Sequence, residues 1–219
     1  MNNNELLKEY MDYRCGIYFW LRNLYISEPT VEILSDIVQT CREFGINEDS
    51  PAYEKEFIYF FANLSKEDIE NTNKELKSEY ARLFLGPKRI LAPPYESVYC
   101  TRNRQLFGET CISVRRLYEQ LGLKINKVGN VPDDFIGFEL EFMYYLAFTT
   151  GEVINDNNMD KIDELLNHQY NFIKDHIGVW IERFTNDIYE NTKMEYFKVI
   201  ANFTKEFILE DYKSLSELK

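Results

Sequence analysis

Histidine is almost missing from this chain of 219 residues, which carries only His168 and His176. Neither has a Glu three residues before it, so the Glu-x-x-His pairs of a helical di-metal site are excluded. Neither lies in a nucleophile motif. His176 stands one helical turn before Trp180 and two before Phe184, which places it on a core-facing stripe as a hydrogen-bonded structural histidine. Cys15, Cys41, Cys100 and Cys111 form no Cys-x-x-Cys pair and read as four free, buried thiols, not as a metal site or a disulfide framework. Phosphate-cradling glycine motifs are missing too, so no nucleotide cofactor is expected. Basic residues are outnumbered, 25 Lys and Arg against 37 Asp and Glu, and the net charge of -12 opposes binding to a phosphate backbone. Nucleic acid is thereby excluded, whereas a cationic partner fits; the same acidity also serves solubility. No stretch approaches the ~18 uncharged residues of a membrane span, so no stable membrane insertion is expected. The opening MNNNELLKEYMDYR lacks the basic then apolar order of a signal peptide, which points to the cytoplasm.

What the chain does have is apolar content, 45% hydrophobic and 16% aromatic, enough for one folded domain over residues 1–219. Three-and-four spacing predicts helices over Leu6–Tyr25, Thr30–Phe44 and Ala52–Leu64, and a Ser65/Asp68 capping box starts another that runs to Gly86-Pro87. Further helices are expected over Gly108–Leu121, with Ile112 and Val114 inward, and over Asp133–Thr150. The latter is apolar on nearly every face and so is expected to be buried and central. A stripe over Asn157–Ile188, bent or divided at Gly178, and a last helix from Met194 to about Asp211 complete the set. Period-two alternation is not found anywhere. The fold class is all-α, about nine helices, with no catalytic and no metal-binding residues assigned.

Between Glu79 and Tyr99 a helix end, a Gly-Pro stop and the Pro93-Pro94 pair are fused, and aromatic and apolar residues sit where helix core cannot be. Residues 87–104 therefore read as a hinge loop between an N-terminal helical half, 1–86, and a C-terminal half, 105–219. Such a hinge permits a monomer or a homodimer, including a domain-swapped one. Glu139 and Glu141 lie two apart, on different sides of a helix, and so are not an acid/base pair; one is expected to be a buried acid with an Arg partner and the other a solvated edge.

LFLGP (83–87), PPYESVY (93–99) and FGE (107–109) resemble the central signature of the TorD/DmsD family of redox-enzyme maturation chaperones. The similarity continues through Val114, Arg115 and Tyr118 to VPDDFIGFELEFM (131–143), then His176, Trp180, Phe184 and the Tyr196-Phe197 helix. That resemblance implies a cytoplasmic chaperone and not an enzyme. Its partners would be the catalytic subunit of a molybdopterin oxidoreductase and that subunit's twin-arginine signal peptide, bound until the cofactor is in place. It implies a client-binding set of Leu83, Phe84, Pro94, Tyr95, Glu96, Ser97, Tyr99, Pro132, Asp133, Asp134, Phe135 and Glu139, with Tyr95–Tyr99 and Pro132–Phe135 as two walls of a groove. Phe135 stands where the family has His, which makes that wall less polar. Asp134 is expected either to accept from a signal-peptide Arg or to cap its own helix. Exposed Arg–carboxylate pairs contribute only ~0 to 1 kcal/mol, so apolar burial must carry the affinity. Two other readings are an assembly factor of the NarJ kind, acting on a reductase without a twin-arginine signal, and a small hydrolase using Asp133, Asp134 and Glu139, which no motif supports.

Overall fold

The computed structural model describes residues 3–86, 89–126, 131–156 and 158–218. Among them the regular structure is all helix, with one isolated bridge and no strand. The helices are α1 (Asn3–Ile26), α2 (Val31–Phe44), α3 (Ala52–Ala62), α4 (Lys66–Tyr80), α5 (Glu96–Cys100), α6 (Glu109–Gln120), α7 (Ile136–Asn155), α8 (Met159–Phe172), α9 (Gly178–Asn191) and α10 (Glu195–Glu217). A π-helical turn, Ala81–Leu85, continues α4, and a second, Ile173–Ile177, joins α8 to α9. The all-α reading holds. Pro87, half of the Gly-Pro stop, and Asn157, the expected start of a helix, lie outside the described residues.

Local chemistry accounts for most boundaries. Thr30 Oγ1 accepts from the Ile33 N–H at the start of α2. Ser65 and Asp68 form the expected reciprocal box, with Ser65 Oγ accepting at 3.1 Å and Asp68 Oδ2 at 2.9 Å. At the end of the first π turn the Gly86 N–H reaches back to the Ala81 carbonyl at 2.7 Å. The second π turn explains Gly178. A Cβ there would lie 2.5 Å from the Ile173 carbonyl oxygen, so only glycine lets the wide turn close and the helix continue as α9.

Four expectations need correction. The seventh helix starts at Ile136, not at Asp133, because the Asp134 carbonyl and the Phe135 backbone are engaged by residues 95–96. It is also not buried all round, since Phe148 is 50% exposed and Tyr144 and Tyr145 are half-buried. Ile112 points outward at 47% exposure, and Cys111 takes the inward position instead. Of the four free thiols, Cys100 is exposed and Cys15 half-buried; only Cys41 and Cys111 are buried.

Contacts divide the chain into two compact units that are discontinuous in sequence. One comprises Met1–Ile26, Tyr95–Trp180 and Ile208–Lys219, the other Ser27–Pro94 and Ile181–Phe207. In the first, α1 and α7 form the most extensive helix pair. Its interior holds a buried ion pair: Arg14, fully buried, donates from Nε to Asp211 Oδ1 at 2.6 Å and from Nη2 to Oδ2 at 2.8 Å. Tyr10 and Tyr18 donate their hydroxyls to the same carboxylate, and Arg14 also donates to Gln169, which donates to Thr150. The second unit is centred on aromatic rings. Phe57 packs on Phe61 and Phe203, while Phe84 meets Tyr80, Phe184 and Phe197. Such pairs add about 0.5–1.5 kcal/mol each beyond the area they bury.

Candidate functional site

The two expected walls, Tyr95–Tyr99 and Pro132–Phe135, are bonded directly to each other. Tyr95 and Phe135 form an antiparallel bridge with ring centroids 5.7 Å apart, and the Glu96 N–H donates to the Asp134 carbonyl at 3.0 Å. Asp134 does not cap its own helix, one of the two roles expected of it. Its buried Oδ2 accepts the Ser97 N–H at 2.6 Å, so it caps α5, the short helix that follows Tyr95, and not its own helix. Asp133 looks the other way: Arg115 donates to its Oδ2 from Nε at 2.9 Å and Nη2 at 2.5 Å, and Tyr118 donates to its carbonyl at 3.3 Å.

Behind this junction lies a line of buried polar groups. His176, as expected, is a buried and bonded core residue. Its Nδ1 lies 3.0 Å from Glu96 Oε2 and its Nε2 3.4 Å from Ser113 Oγ, while its ring stacks on Phe172. In the Nδ1–H tautomer the ring donates to Glu96 and its Nε2 accepts from the Ser113 hydroxyl. The order Ser113, His176, Glu96 imitates a nucleophile, base and orienting acid. Ser113, however, sits inside α6, where its own N–H and those after it are spent on helical bonds and are not free to hold an oxyanion. The three residues form a structural relay.

Glu139 is fully buried, and its partner is not an Arg: Trp180 Nε1–H donates to its Oε2 at 3.1 Å. One buried acid and one solvated edge are as expected, but the Arg lies with the solvated one: Arg22 approaches exposed Glu141 at 3.4 Å. Trp180 in turn stacks on Tyr99, centroids 5.5 Å apart. Burial first, then the negative charges of Glu96 and Asp134, push the Glu139 carboxyl well above its ordinary value of 4.5. Burial, with Asp134 behind it, also raises the Tyr95 hydroxyl. Ser97 Oγ, Asp134 Oδ1 and Glu139 Oε1 are buried with no hydrogen-bond partner among the described residues.

The raised acid makes stability depend on pH. Native Glu139 keeps a proton that the unfolded chain has released, so stability falls as pH rises from about 4.5 toward the raised native value, with a slope of up to roughly 1.4 kcal/mol per pH unit. Glu139→Gln, which is neutral at every pH, is expected to gain on the parent as pH goes from 5 to 8 in urea unfolding. Parallel pH profiles would show instead that Glu139 titrates normally.

The structure therefore brings Tyr95, Glu96, Ser97, Tyr99, Pro132, Asp133, Asp134, Phe135 and Glu139 into one compact unit, and places Leu83, Phe84 and Pro94 in the other. All but half-buried Tyr95 are buried. Among the described residues no group of His, Cys, Asp and Glu is arranged to hold a metal ion, and no helix is long and apolar enough to cross a membrane.

Fold and site together define an all-helical protein whose signature residues build an internal polar junction. The chain belongs to the nitrate reductase delta subunit family, whose sequence model matches residues 47–186 and so covers both signature stretches. Similar relatives include the chaperone protein TorD of Vibrio cholerae serotype O1 (strain ATCC 39541 / Classical Ogawa 395 / O395), 26% identical over 97% of this chain and 96% of that protein. TorD of Aliivibrio salmonicida (strain LFI1238) is 25% identical over 96% of this chain and 98% of its own. A solved structure from Archaeoglobus fulgidus, titled as a candidate redox enzyme maturation protein, superposes with a TM-score of 0.52 at 20% identity, covering 95% of each chain; it supports the fold.

Proposed function

We propose that this protein is a non-enzymatic, cytoplasmic chaperone of a molybdopterin oxidoreductase, and that it binds the catalytic subunit in its cofactor-free form together with that subunit's twin-arginine signal peptide. The observation that carries this reading is the match of relatives named TorD chaperones along 97% of the chain, both signature stretches included. The acidic balance of the chain, net -12, suits a cationic peptide.

Binding at the signature residues begins at Tyr95, the half-buried member of the set, on the outer side of the Tyr95–Phe135 bridge. The buried members would be reached by parting residues 95–96 from 134–135. The segment 87–104 serves as the hinge for that opening and, between two copies, for domain swapping.

Isothermal titration of the full chain with a twin-arginine signal peptide is the test. Micromolar or tighter binding is expected, with Tyr95→Ala weakening it about tenfold, the effect of truncating an aromatic anchor. No binding to any such peptide, with the cofactor-free enzyme also ignored, would sink the reading. The family's description as a nitrate reductase subunit favours one alternative, an assembly factor for a reductase without a twin-arginine signal. Recovery of an enzyme in a pull-down regardless of its N-terminal peptide would select that alternative.

A further inference from the structure

A cavity of about 550 Å³ opens where the starts of α1 and α8 meet the end of α10, all within one compact unit. Its lining is mainly apolar: Leu6, Tyr10, Met159, Ile162, Leu166 and Leu218. Leu6, Met159 and Leu218 are 52%, 52% and 44% exposed, so α1, α8 and the residue just after α10 each leave one large apolar side chain half in water at the same place. Scattered exposed apolar residues need no explanation, whereas a contiguous set around a concavity marks a binding surface. The floor is fixed, because the Tyr10 hydroxyl is engaged by Asp211, itself anchored on buried Arg14.

The charge at the rim decides what fits. Asp163 and Glu217 are in the lining, and no Lys or Arg is among the described lining residues. The nearest basic side chains along α1 and α8 are already used, Lys8 by Asp12 and Lys161 by Glu164. Such a rim repels an anionic amphiphile. It also disfavours a second copy of this chain, which would bring identical carboxylates together on a molecule of net charge -12. An occupant with large apolar side chains and flanking cations answers both the floor and the rim.

We propose that this cavity docks a segment of a partner protein that presents apolar side chains flanked by Lys or Arg. It is a second contact, away from the Tyr95–Phe135 junction, and it stands whether or not the junction receives a signal peptide.

The probe is a fluorescently labelled amphipathic peptide of Leu and Lys, titrated by anisotropy into the full-length chain beside its Leu and Glu counterpart. The Leu/Lys peptide is expected to bind, and Leu6→Ser combined with Met159→Ser to weaken it about tenfold. Both sites are half exposed, so the variant should fold, and its far-UV circular dichroism should match the parent's. Asp163→Asn with Glu217→Gln should weaken binding about threefold and flatten its salt dependence. Unchanged affinity in the Leu6/Met159 variant would overturn the proposal by placing the peptide elsewhere. Equal binding of the Leu/Glu peptide would overturn it through its charge argument, and a dimer abolished by the same variant would assign the cavity to a second copy. A twin-arginine peptide that fails where the Leu/Lys peptide binds would refute the signal-peptide reading alone.

Discussion

Asp211→Ala is expected to destabilise the protein by about 3–5 kcal/mol, the range measured when one partner of a buried ion pair is removed. Arg14 is fully buried and donates twice to this carboxylate, at 2.6 and 2.8 Å, and the hydroxyls of Tyr10 and Tyr18 complete its shell at 2.9 and 2.6 Å. Burial alone would pull the guanidinium pKa down; the charge of Asp211, aided by Tyr18 and Tyr10, outweighs it and leaves Arg14 raised and charged. Removing Asp211 therefore strands a cation in the interior with Gln169 as its remaining oxygen partner. The cost comes mostly from that stranded charge and only slightly from the lost attraction. It follows that Arg14→Met combined with Asp211→Leu should recover part of the loss, because two apolar groups of similar volume strand no charge, and what remains is the cost of the Tyr10 and Tyr18 hydroxyls and the Gln169 oxygen losing these partners. Urea unfolding of the two variants checks both statements. A loss under about 1 kcal/mol for Asp211→Ala would mean that water or a rearranged side chain already solvates Arg14.

Helix content was legible because it is written in local periodicity: α2, the Ser65/Asp68 box and the long stripe broken at Gly178 all appear where spacing and cap chemistry put them. The buried ion pair was legible in principle and was missed. Arg14 falls four residues after Tyr10 and four before Tyr18, on the stripe that packs inward, and Asp211 extends the stripe of Ala201, Thr204 and Phe207. A charge at an inward position signals a buried partner even when the partner is unknown. The junction was legible only in part. Its residues were picked out by resemblance, yet spacing cannot say that the Asp134 carboxylate would cap a helix 37 positions earlier or that Glu96 would find His176 80 positions later. The misplaced start of α7 has the same origin. Pro132-Asp133-Asp134 has the composition of a helix start, but a bridge from Tyr95 holds Phe135 extended at φ -73 and ψ 133, and tertiary pairing overrides local preference.

Trp180→Ala should cost about 3–5 kcal/mol, as a large buried aromatic side chain leaves a cavity that close-packed surroundings fill only partly. Trp180 is fully buried, stacked at 24° on Tyr99, and its Nε1–H is the hydrogen-bond donor to Glu139 among the described residues. Two contributions are mixed in that figure, and Trp180→Phe separates them. Phenylalanine keeps most of the stack but leaves both Glu139 oxygens without a donor, since Oε1 has none already. A loss of about 1–3 kcal/mol is expected from the orphaned acid. That loss should grow with pH, because the indole N–H holds the Glu139 pKa down, and without it the native carboxyl binds its proton still more tightly. Glu139→Leu removes the acid itself, so adding it to Trp180→Phe should cost less than the two single changes together. The coupling between the two sites, read from urea unfolding of the parent, both single variants and the double, should be about 1–3 kcal/mol. Strict additivity would show that the Trp180–Glu139 bond contributes nothing and that the indole is held by packing alone.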